Sequence, residues 1–471
     1  MRFFLPLLLL APLGAQSPDR VLARDIFKQL IETNTTDSVG DNTRAAEAMA
    51  ARFRAAGYAD SDVKVLVPKE MPRKGNVVVR LRGTSSSTGP AKPILFIGHL
   101  DVVEAKREDW SFDPFQFRER DGYFYGRGTS DMKGDVAVLV TTFLRLKREG
   151  FRPSRDLILA LTSDEEGGPG NGVQWLVKEH RDLIDAAFCI NSDAGGGHIK
   201  NGKRIFMSME AAEKVFLSFK LETTNPGGHS SLPPKDNAIY HLAAALTRLS
   251  SFEFPVHLFD VTKTGFERAA AFHESESGGQ VAADMRAIAR NPNDAAAAAR
   301  LSASPYYNAQ LRTTCVATML SGGHAENALP QLASAVVNCR ILPVDSPAEI
   351  RKTLERVFND PKIKMTEMNE PQSTSYTPIN PAVMAAVTAS TQAHWPGLPV
   401  IPLMETGATD GIWLIAGGIP TYGVSGIFGD EDDVRAHGKD ERILVQSFYE
   451  ALDFMYDVVT SVAKPSAAPK Q

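Results

Sequence analysis

His99-Leu100-Asp101, Asp164-Glu165-Glu166 and Asp193 are residues of the kinds that hold metal ions, and each set follows an apolar run. The runs are Ile94 to Gly98, Leu157 to Thr162 and Phe188 to Asn191. As strands of one parallel sheet, their carboxyl ends would open onto a common crevice, where acids and imidazoles far apart in sequence converge. Small residues follow, as in Glu166-Gly167-Gly168 and Asp193-Ala194-Gly195-Gly196-Gly197, so that backbone can approach a ligand closely. Between the first two runs, Gly126-Arg127-Gly128-Thr129-Ser130-Asp131-Met132-Lys133-Gly134 precedes an apolar helix. A carboxylate such as Asp131, at a turn near a helix start, can present both oxygens outward, as bridging two cations about 3.5–4 Å apart demands. Alone, a His-x-Asp or a Glu-Glu is more often a solvated turn. Their joint placement behind three strands points to a metal site.

Imidazole and carboxylate are the ordinary ligands of catalytic zinc, so a second histidine would complete the shells. His437 is the best candidate. It lies in Gly429-Asp430-Glu431-Asp432-Asp433-Val434-Arg435-Ala436-His437-Gly438, a loop too acidic and glycine-rich to be core. From this loop alone, an exposed histidine without a metal is an equal reading.

The elements that must position these residues alternate. Helical stretches at Asp19 to Thr33, Asn42 to Ala56, Val136 to Glu149 and Val173 to His180 interleave with the short apolar runs. The pattern predicts an α/β unit with a mostly parallel central sheet flanked by helices. From Ala211 the texture shifts to strand-like Val215 to Leu221, Thr313 to Leu320 and Ala333 to Ile341, with helical Ala238 to Leu249 and Pro347 to Phe358. That is a compact α+β unit inserted into the first. Helical Pro381 to Ala393, strand-like Val400 to Pro402 and helical Leu444 to Val462 then resume the α/β pattern. The expected division is a discontinuous catalytic domain at 19–210 and 369–463, an inserted domain at 211–368 carrying an extra helical insertion at about 255–311, and a disordered tail at 464–471.

At 471 residues the chain has ample length for several cores. Its net charge of -5, with acids and bases interspersed, excludes a basic stripe for nucleic acid. Met1-Arg2, the apolar run Phe3 to Leu13 and the small pair Gly14-Ala15 have a signal peptide's layout, with cleavage expected after about Ala15 and export as the consequence. That run is short of the ~20 residues that span a bilayer, and no later segment reaches that length. The three cysteines, Cys189, Cys315 and Cys339, lie in apolar strand-like runs. An exported chain could oxidise Cys315 and Cys339 if their strands were neighbours, but an odd count at this spacing is no disulfide framework, so free thiols are expected.

Taken together, His99-Leu100-Asp101, the Gly126 to Gly134 segment, Ser163-Asp164-Glu165-Glu166-Gly167, Asp193 and Ala436-His437-Gly438 resemble, in order and spacing, the di-zinc metallopeptidase family of glutamate carboxypeptidase, aminoacylase, carnosine dipeptidase and succinyl-diaminopimelate desuccinylase. The likeness covers nearly the whole chain after the leader. It implies that Asp131 bridges two Zn2+ ions, with Co2+ or Mn2+ as substitutes. His99 and Asp193 would complete one shell, and Glu166 and His437 the other. Glu165 becomes the general base. Asp101 would accept the other ring proton of His99, and a cis peptide would follow Asp131. Asn225-Pro226-Gly227-Gly228-His229 resembles the family segment whose histidine steadies the developing oxyanion. Asn327 and Arg340 match positions that hold the substrate carboxylate, and Gly407 and Thr409 a pocket-lining loop that departs from the pattern at Ala408.

The implied activity is hydrolysis of an amide bond beside a free carboxylate, of dipeptidase or carboxypeptidase type, with N-acyl-amino-acid hydrolysis as the alternative. The substrate would be a small peptide or N-acyl amino acid. The inserted domain would act as a lid and dimerisation surface, although 255–311 exceeds the smallest relatives' lids. A binding protein that has lost turnover would lack a ligand or the base, and none is missing.

Overall fold

The computed structural model describes residues 17–84, 91–276, 279–370 and 375–464. The leader at 1–15, the serine-rich loop at 85–90 and the tail from 465 lie outside the described residues.

A ten-stranded sheet runs in the order Val63–Leu66, Asn76–Leu81, Leu157–Thr162, Ile94–His99, Phe188–Asn191, Thr421–Gly423, Lys203–Glu213, Gly196–Lys200, Phe428–Asp430, with Val400–Glu405 also paired to Lys203–Glu213. The four strands from Leu157–Thr162 to Thr421–Gly423 are parallel neighbours. Ile94–His99 and Leu157–Thr162 are buried along their whole length, as sheets covered on both faces require. The register aligns His99 with Thr162 and Ile97 with Asn191, so the three chains leave the sheet at nearly one level. On one face pack the helices Pro18–Ile31, Lys133–Arg148 and Val445–Ala463, with Phe27 stacked on Phe448 at 4.8 Å between ring centroids. Gly172–Glu179 and Gly411–Ala416 cover the other face through Val173, Leu176 and Leu414.

The inserted unit has its own four-stranded antiparallel sheet, ordered Thr314–Gly322, Leu332–Ile341, Val215–Thr224, Lys364–Glu367. Burial alternates along Leu332–Ile341, the period-2 pattern of a sheet with one covered face. The helices Ala238–Ser250 and Pro347–Phe358 cover that face, burying Leu217, Phe219, Leu242, Val337 and Leu354. The thiol expectation is corrected here. Cys315 and Cys339 are directly opposed across the first two strands, with Cα atoms 4.1 Å apart, and form a disulfide; Cys189 is free and buried. Sequence spacing gave no sign that these two strands are neighbours.

Residues 255–311 are helical as expected, with the helices Asp260–Glu276, Gln280–Arg290, Ala295–Leu301 and Pro305–Leu311 around a small core of Phe266, Met285, Ile288 and Leu301. Although they interrupt the inserted unit in sequence, they dock on the large sheet. Arg268 donates to the carbonyl of Val400 at 2.9 Å and Gln310 to that of Met404 at 2.8 Å. An otherwise open strand is thereby covered. No described helix is long and apolar enough to cross a membrane.

Candidate metal centre

His99 is the last residue of its strand, Glu165 and Glu166 follow the neighbouring strand, and Asp193 follows the next. Asp131 joins them from the turn before the helix Lys133–Arg148, across a cis peptide bond to Met132. His437 arrives from the acidic loop with a φ of 62°, a left-handed conformation uncommon for a residue other than glycine. Donor atoms of His99, Asp131 and Asp193 lie within 4.8 Å of one another, and so do those of Asp131, Glu166 and His437. The two carboxylate oxygens of Asp131 divide between the sets: Oδ1 is 3.1 Å from His99 Nε2, and Oδ2 is 3.0 Å from His437 Nε2. Asp193 Oδ1 stands 3.4 Å from His99 Nε2, and Glu166 Oε2 stands 2.9 Å from His437 Nε2.

The glycines after Asp193 are needed by the turn. At Gly195, φ is 75° and a Cβ would meet the carbonyl oxygen of Gly423 at 2.6 Å.

Among the described residues no lysine or arginine forms an ion pair with Asp131, Glu166 or Asp193. Positive charge is nonetheless drawn to this spot. Burial opposes charge on His99, but Asp193, Asp131 and Asp101 hold it well above its usual pKa. Hydrogen bonds donated to the carboxylates of Asp131 and Glu166 push His437 up to about 10. Asp131 is buried, yet the two imidazoles hold it below the usual carboxylate range. Burial and the charge of Asp193 push Glu165 up to about 10, and burial pushes Asp193 up to about 6. Two imidazoles and carboxylates around a shared acid are the donor set of a two-cation site, and the residues present fit one.

Asp101 differs from expectation in detail. Its backbone carbonyl lies 3.0 Å from His99 Nδ1, while its carboxylate is 3.7 Å away. The carboxylate is turned instead to accept the backbone N–H groups of Glu165 at 3.2 Å and Glu166 at 2.9 Å. It therefore pins the turn that carries both glutamates.

The other expected residues are spread out. Thr409 is tied inward: its N–H and hydroxyl donate to buried Glu213 at 2.6 and 2.7 Å, and Asn191 donates to its hydroxyl at 2.9 Å. Gly407 is in the same loop, its N–H 3.3 Å from Glu405 Oε1. Arg340 lies on the inserted unit's sheet, its guanidinium 4.8 Å from the centroid of the Phe216 ring; burial lowers its pKa and the charge of Glu405 counters that. His229 and Asn327 are exposed on the inserted unit, where Gly228–His229 pairs with Ala328–Leu329. No described contact joins His229, Asn327 or Arg340 to the ligand cluster.

Three buried acids escaped the sequence reading. Glu441 holds the turn before Asp131 through the N–H groups of Ser130 and Asp131. Asp410 accepts from Thr162 at 3.1 Å and Asn171 at 2.6 Å, behind the glutamate pair. Glu213 anchors Thr409. Asp410 directly follows Thr409 of the pocket-lining loop and is legible by that position; the other two carry no spacing signal.

A parallel-centred α/β sheet with an inserted α+β unit, and two donor triads that share one aspartate at the sheet's carboxyl edge, fit the pattern of a metal-dependent hydrolase of the two-cation kind. Residues 95–461 match the model of peptidase family M20/M25/M40, and the chain belongs to that family. It is a metal-dependent peptidase or amidohydrolase. Among curated relatives, the probable carboxypeptidase S-like 2 of Dictyostelium discoideum is 28% identical over 79% of this chain and 72% of its own length. The N-fatty-acyl-amino acid synthase/hydrolase PM20D1 of Homo sapiens is 27% identical over 78% of this chain and 74% of its own. Aminoacylase-1 of Mus musculus is 26% identical over 94% and 96%. Among solved structures, an M20 family metallo-carboxypeptidase of Sulfolobus solfataricus superposes with a TM-score of 0.67 at 17% identity, covering 94% of this chain and 99% of that one. A dinuclear metal-binding M20 peptidase of Bacillus subtilis does so with a TM-score of 0.57 at 9% identity, covering 94% and 98%.

Proposed function

We propose that the chain hydrolyses an amide bond next to a free carboxylate, releasing an amino acid from a small peptide or an N-acyl amino acid, at the two triads that share Asp131. The observation that carries this is the division of the Asp131 oxygens between His99 with Asp193 and His437 with Glu166, with Glu165 pinned beside them by Asp101. Zn2+ ions in these triads would polarise the scissile carbonyl and acidify a water, with Co2+ or Mn2+ able to substitute. With cations in the triads offsetting the burial and the charge of Asp193 that raise its pKa, Glu165 is ionised, takes a proton from that water and passes it to the departing nitrogen. The water's oxygen bonds to the carbonyl carbon, the C–N bond breaks, and a carboxylic acid and an amine leave. Asp101 fixes the position of Glu165 and Glu166.

For the substrate carboxylate, Arg340 offers a planar fork, assisted by Asn327 and by the backbone of the Gly407 to Thr409 loop. His229 is assigned to the oxyanion. Arg340, Asn327 and His229 sit on residues 211–368, which serve as lid and dimerisation surface above the catalytic residues 19–210 and 369–463, where the Gly407 to Thr409 loop belongs. Supporting a homodimer, Thr314–Gly322 is an edge strand with exposed Val316, Met319 and Leu320. Export through the leader is supported by the Cys315–Cys339 disulfide, which suits an oxidising compartment.

The relatives' names include carboxypeptidase, aminoacylase and N-fatty-acyl-amino acid hydrolase, so both dipeptides and N-acyl amino acids belong in the assay. The test is hydrolysis of such a panel before and after a strong chelator. Activity should vanish with the chelator and return with zinc or cobalt; hydrolysis undisturbed by chelation overturns the reading.

A further inference from the structure

The ligand cleft has a neighbour. A second cavity of about 480 Å3 lies between the helices of residues 255–311 and the large sheet, walled by Phe206, Phe266, Phe272, Tyr306, Ile401 and Leu403. Its size falls within the range of small-molecule pockets, about 300–1,000 Å3.

Two residues line both spaces. His198 and Glu431 border this cavity and also the cleft of about 370 Å3 that Asp131 and Asp193 line. One layer of side chains therefore separates the apolar cavity from the cleft that Asp131 and Asp193 border. His198 faces both ways: Nδ1 is 3.2 Å from Glu431 and Nε2 is 3.1 Å from the Ser208 hydroxyl, while its ring stacks on Phe206 at 4.1 Å between centroids. Polar groups deeper in the wall already have partners. Tyr307 bonds His273 at 2.8 Å, and Gln310 donates to the carbonyl of Met404. Most of what the cavity offers a ligand is apolar surface, with Lys200 and Tyr306 adding polar groups to its lining.

We infer that this cavity holds the acyl chain of the substrate, and that the helices of residues 255–311 make the enzyme selective for N-acyl amino acids with a long, apolar acyl group. The inference rests on the proposed hydrolysis at the Asp131 triads. The cleft fixes the amide, the amino acid's carboxylate points to the inserted unit, and the other substituent of the carbonyl passes His198 and Glu431. A dipeptide leaves this space unfilled, and its charged amino group would face aromatic walls, an unfavourable placement.

The test is a length series of N-acyl derivatives of one amino acid, from acetyl through octanoyl and dodecanoyl to oleoyl, with a dipeptide of the same carboxyl-terminal residue as control. The expected result is a kcat/KM that rises with chain length, by at most about threefold to fourfold per methylene, until the cavity is full. Ala269, on the helix Asp260–Glu276, faces the cavity. Ala269→Trp should lower the ratio of kcat/KM for long over short chains tenfold or more. A flat series, or an unchanged ratio in a folded Ala269→Trp protein, overturns the inference. Should that variant not fold, calorimetric binding of laurate to the unsubstituted protein decides, and no binding overturns it. If no panel member of any length is hydrolysed, the hydrolase reading fails, and laurate binding still judges the cavity by itself.

Discussion

Glu441 accepts the guanidinium of Arg127 at 2.7 Å, with both side chains nearly inaccessible to solvent, 1% and 3% exposed. The same carboxylate collects the backbone N–H groups of Gly128, Ser130 and Asp131 at 3.1, 2.7 and 3.1 Å. Arg127 in turn donates to the carbonyl of His437 at 3.2 Å. One buried pair thus fixes two proposed ligands that are 306 residues apart in sequence. A sheet edge alone cannot set the distance between a turn and a distant loop; this pair does.

Removing one partner leaves a buried charge uncompensated, which typically costs about 3–5 kcal/mol. Glu441→Ala should therefore lower the unfolding free energy by roughly that amount and weaken metal retention together. Glu441→Gln, which keeps one acceptor, should lose less of both. Denaturant titration alongside metal analysis checks it; a Glu441→Ala protein as stable as the parent would show that the pair has no such role.

Glu165 is the proposed base and not a proposed ligand, so its loss should separate chemistry from metal binding. Glu165→Gln should lower kcat about 10²–10⁴-fold, the usual worth of a positioned acid–base group, with metal content unchanged. Asp101→Ala should act through position, reducing activity and metal affinity about 10–100-fold, as the loss of groups that orient ligands does. Turnover of the two variants, set against metal per chain by elemental analysis, discriminates between these roles.

How far these features could be read from the sequence depends on their range. His99, Glu166 and Asp193 announce themselves because each ends a run of apolar strand residues, and parallel strands share an edge. Helices such as Pro347–Phe358 are legible because an apolar face recurs at helical spacing, here Ile350, Leu354 and Phe358. The family resemblance assigns the Asp101 carboxylate to His99, whereas its bonds to the Glu165 turn depend on a strand neighbour that no local pattern reveals. The same holds for Glu441, an acid among charged loop residues whose burial arises only once residues 127–131 fold over it. The helices of 255–311 are legible as helices, but their docking on Val400–Glu405 is not, because it is settled by packing between residues 94 to 132 positions apart.

The Cys315–Cys339 bridge makes the thiol count informative. Denatured without reductant, the chain should show one reactive thiol, Cys189, and three after reduction. Replacing both bridged cysteines by alanine should cost about 2–4 kcal/mol of stability, the common worth of a disulfide. Three thiols in non-reduced material from an oxidising compartment would contradict the bridge.

His241 should make the inserted unit's stability depend on pH. Its Nδ1 lies 2.6 Å from Asp360 Oδ2 and its Nε2 lies 2.8 Å from Asp236 Oδ1, so both ring nitrogens donate to carboxylates when the imidazole is charged. Hydrogen bonding to Asp360 and then Asp236 raises its pKa, partly opposed by burial and by the nearby Lys362 ammonium. The two acids are held low in return, Asp360 against its own burial by His241 and the Lys362 N–H, and Asp236 by Lys362 and His241. A histidine whose folded pKa exceeds its unfolded value of about 6.5 contributes in full below that value, and the contribution fades as pH rises through the folded pKa. The carboxylates have the opposite sign: their share is present above their unfolded values and is lost as pH falls through the folded ones. His241→Gln should therefore be most destabilising near about pH 6, where the ring is charged and both acids are ionised, and much less so near about pH 9. Urea titrations of parent and variant at the two pH values measure this, and an equal deficit at both would mean that His241 acts through packing and not through charge.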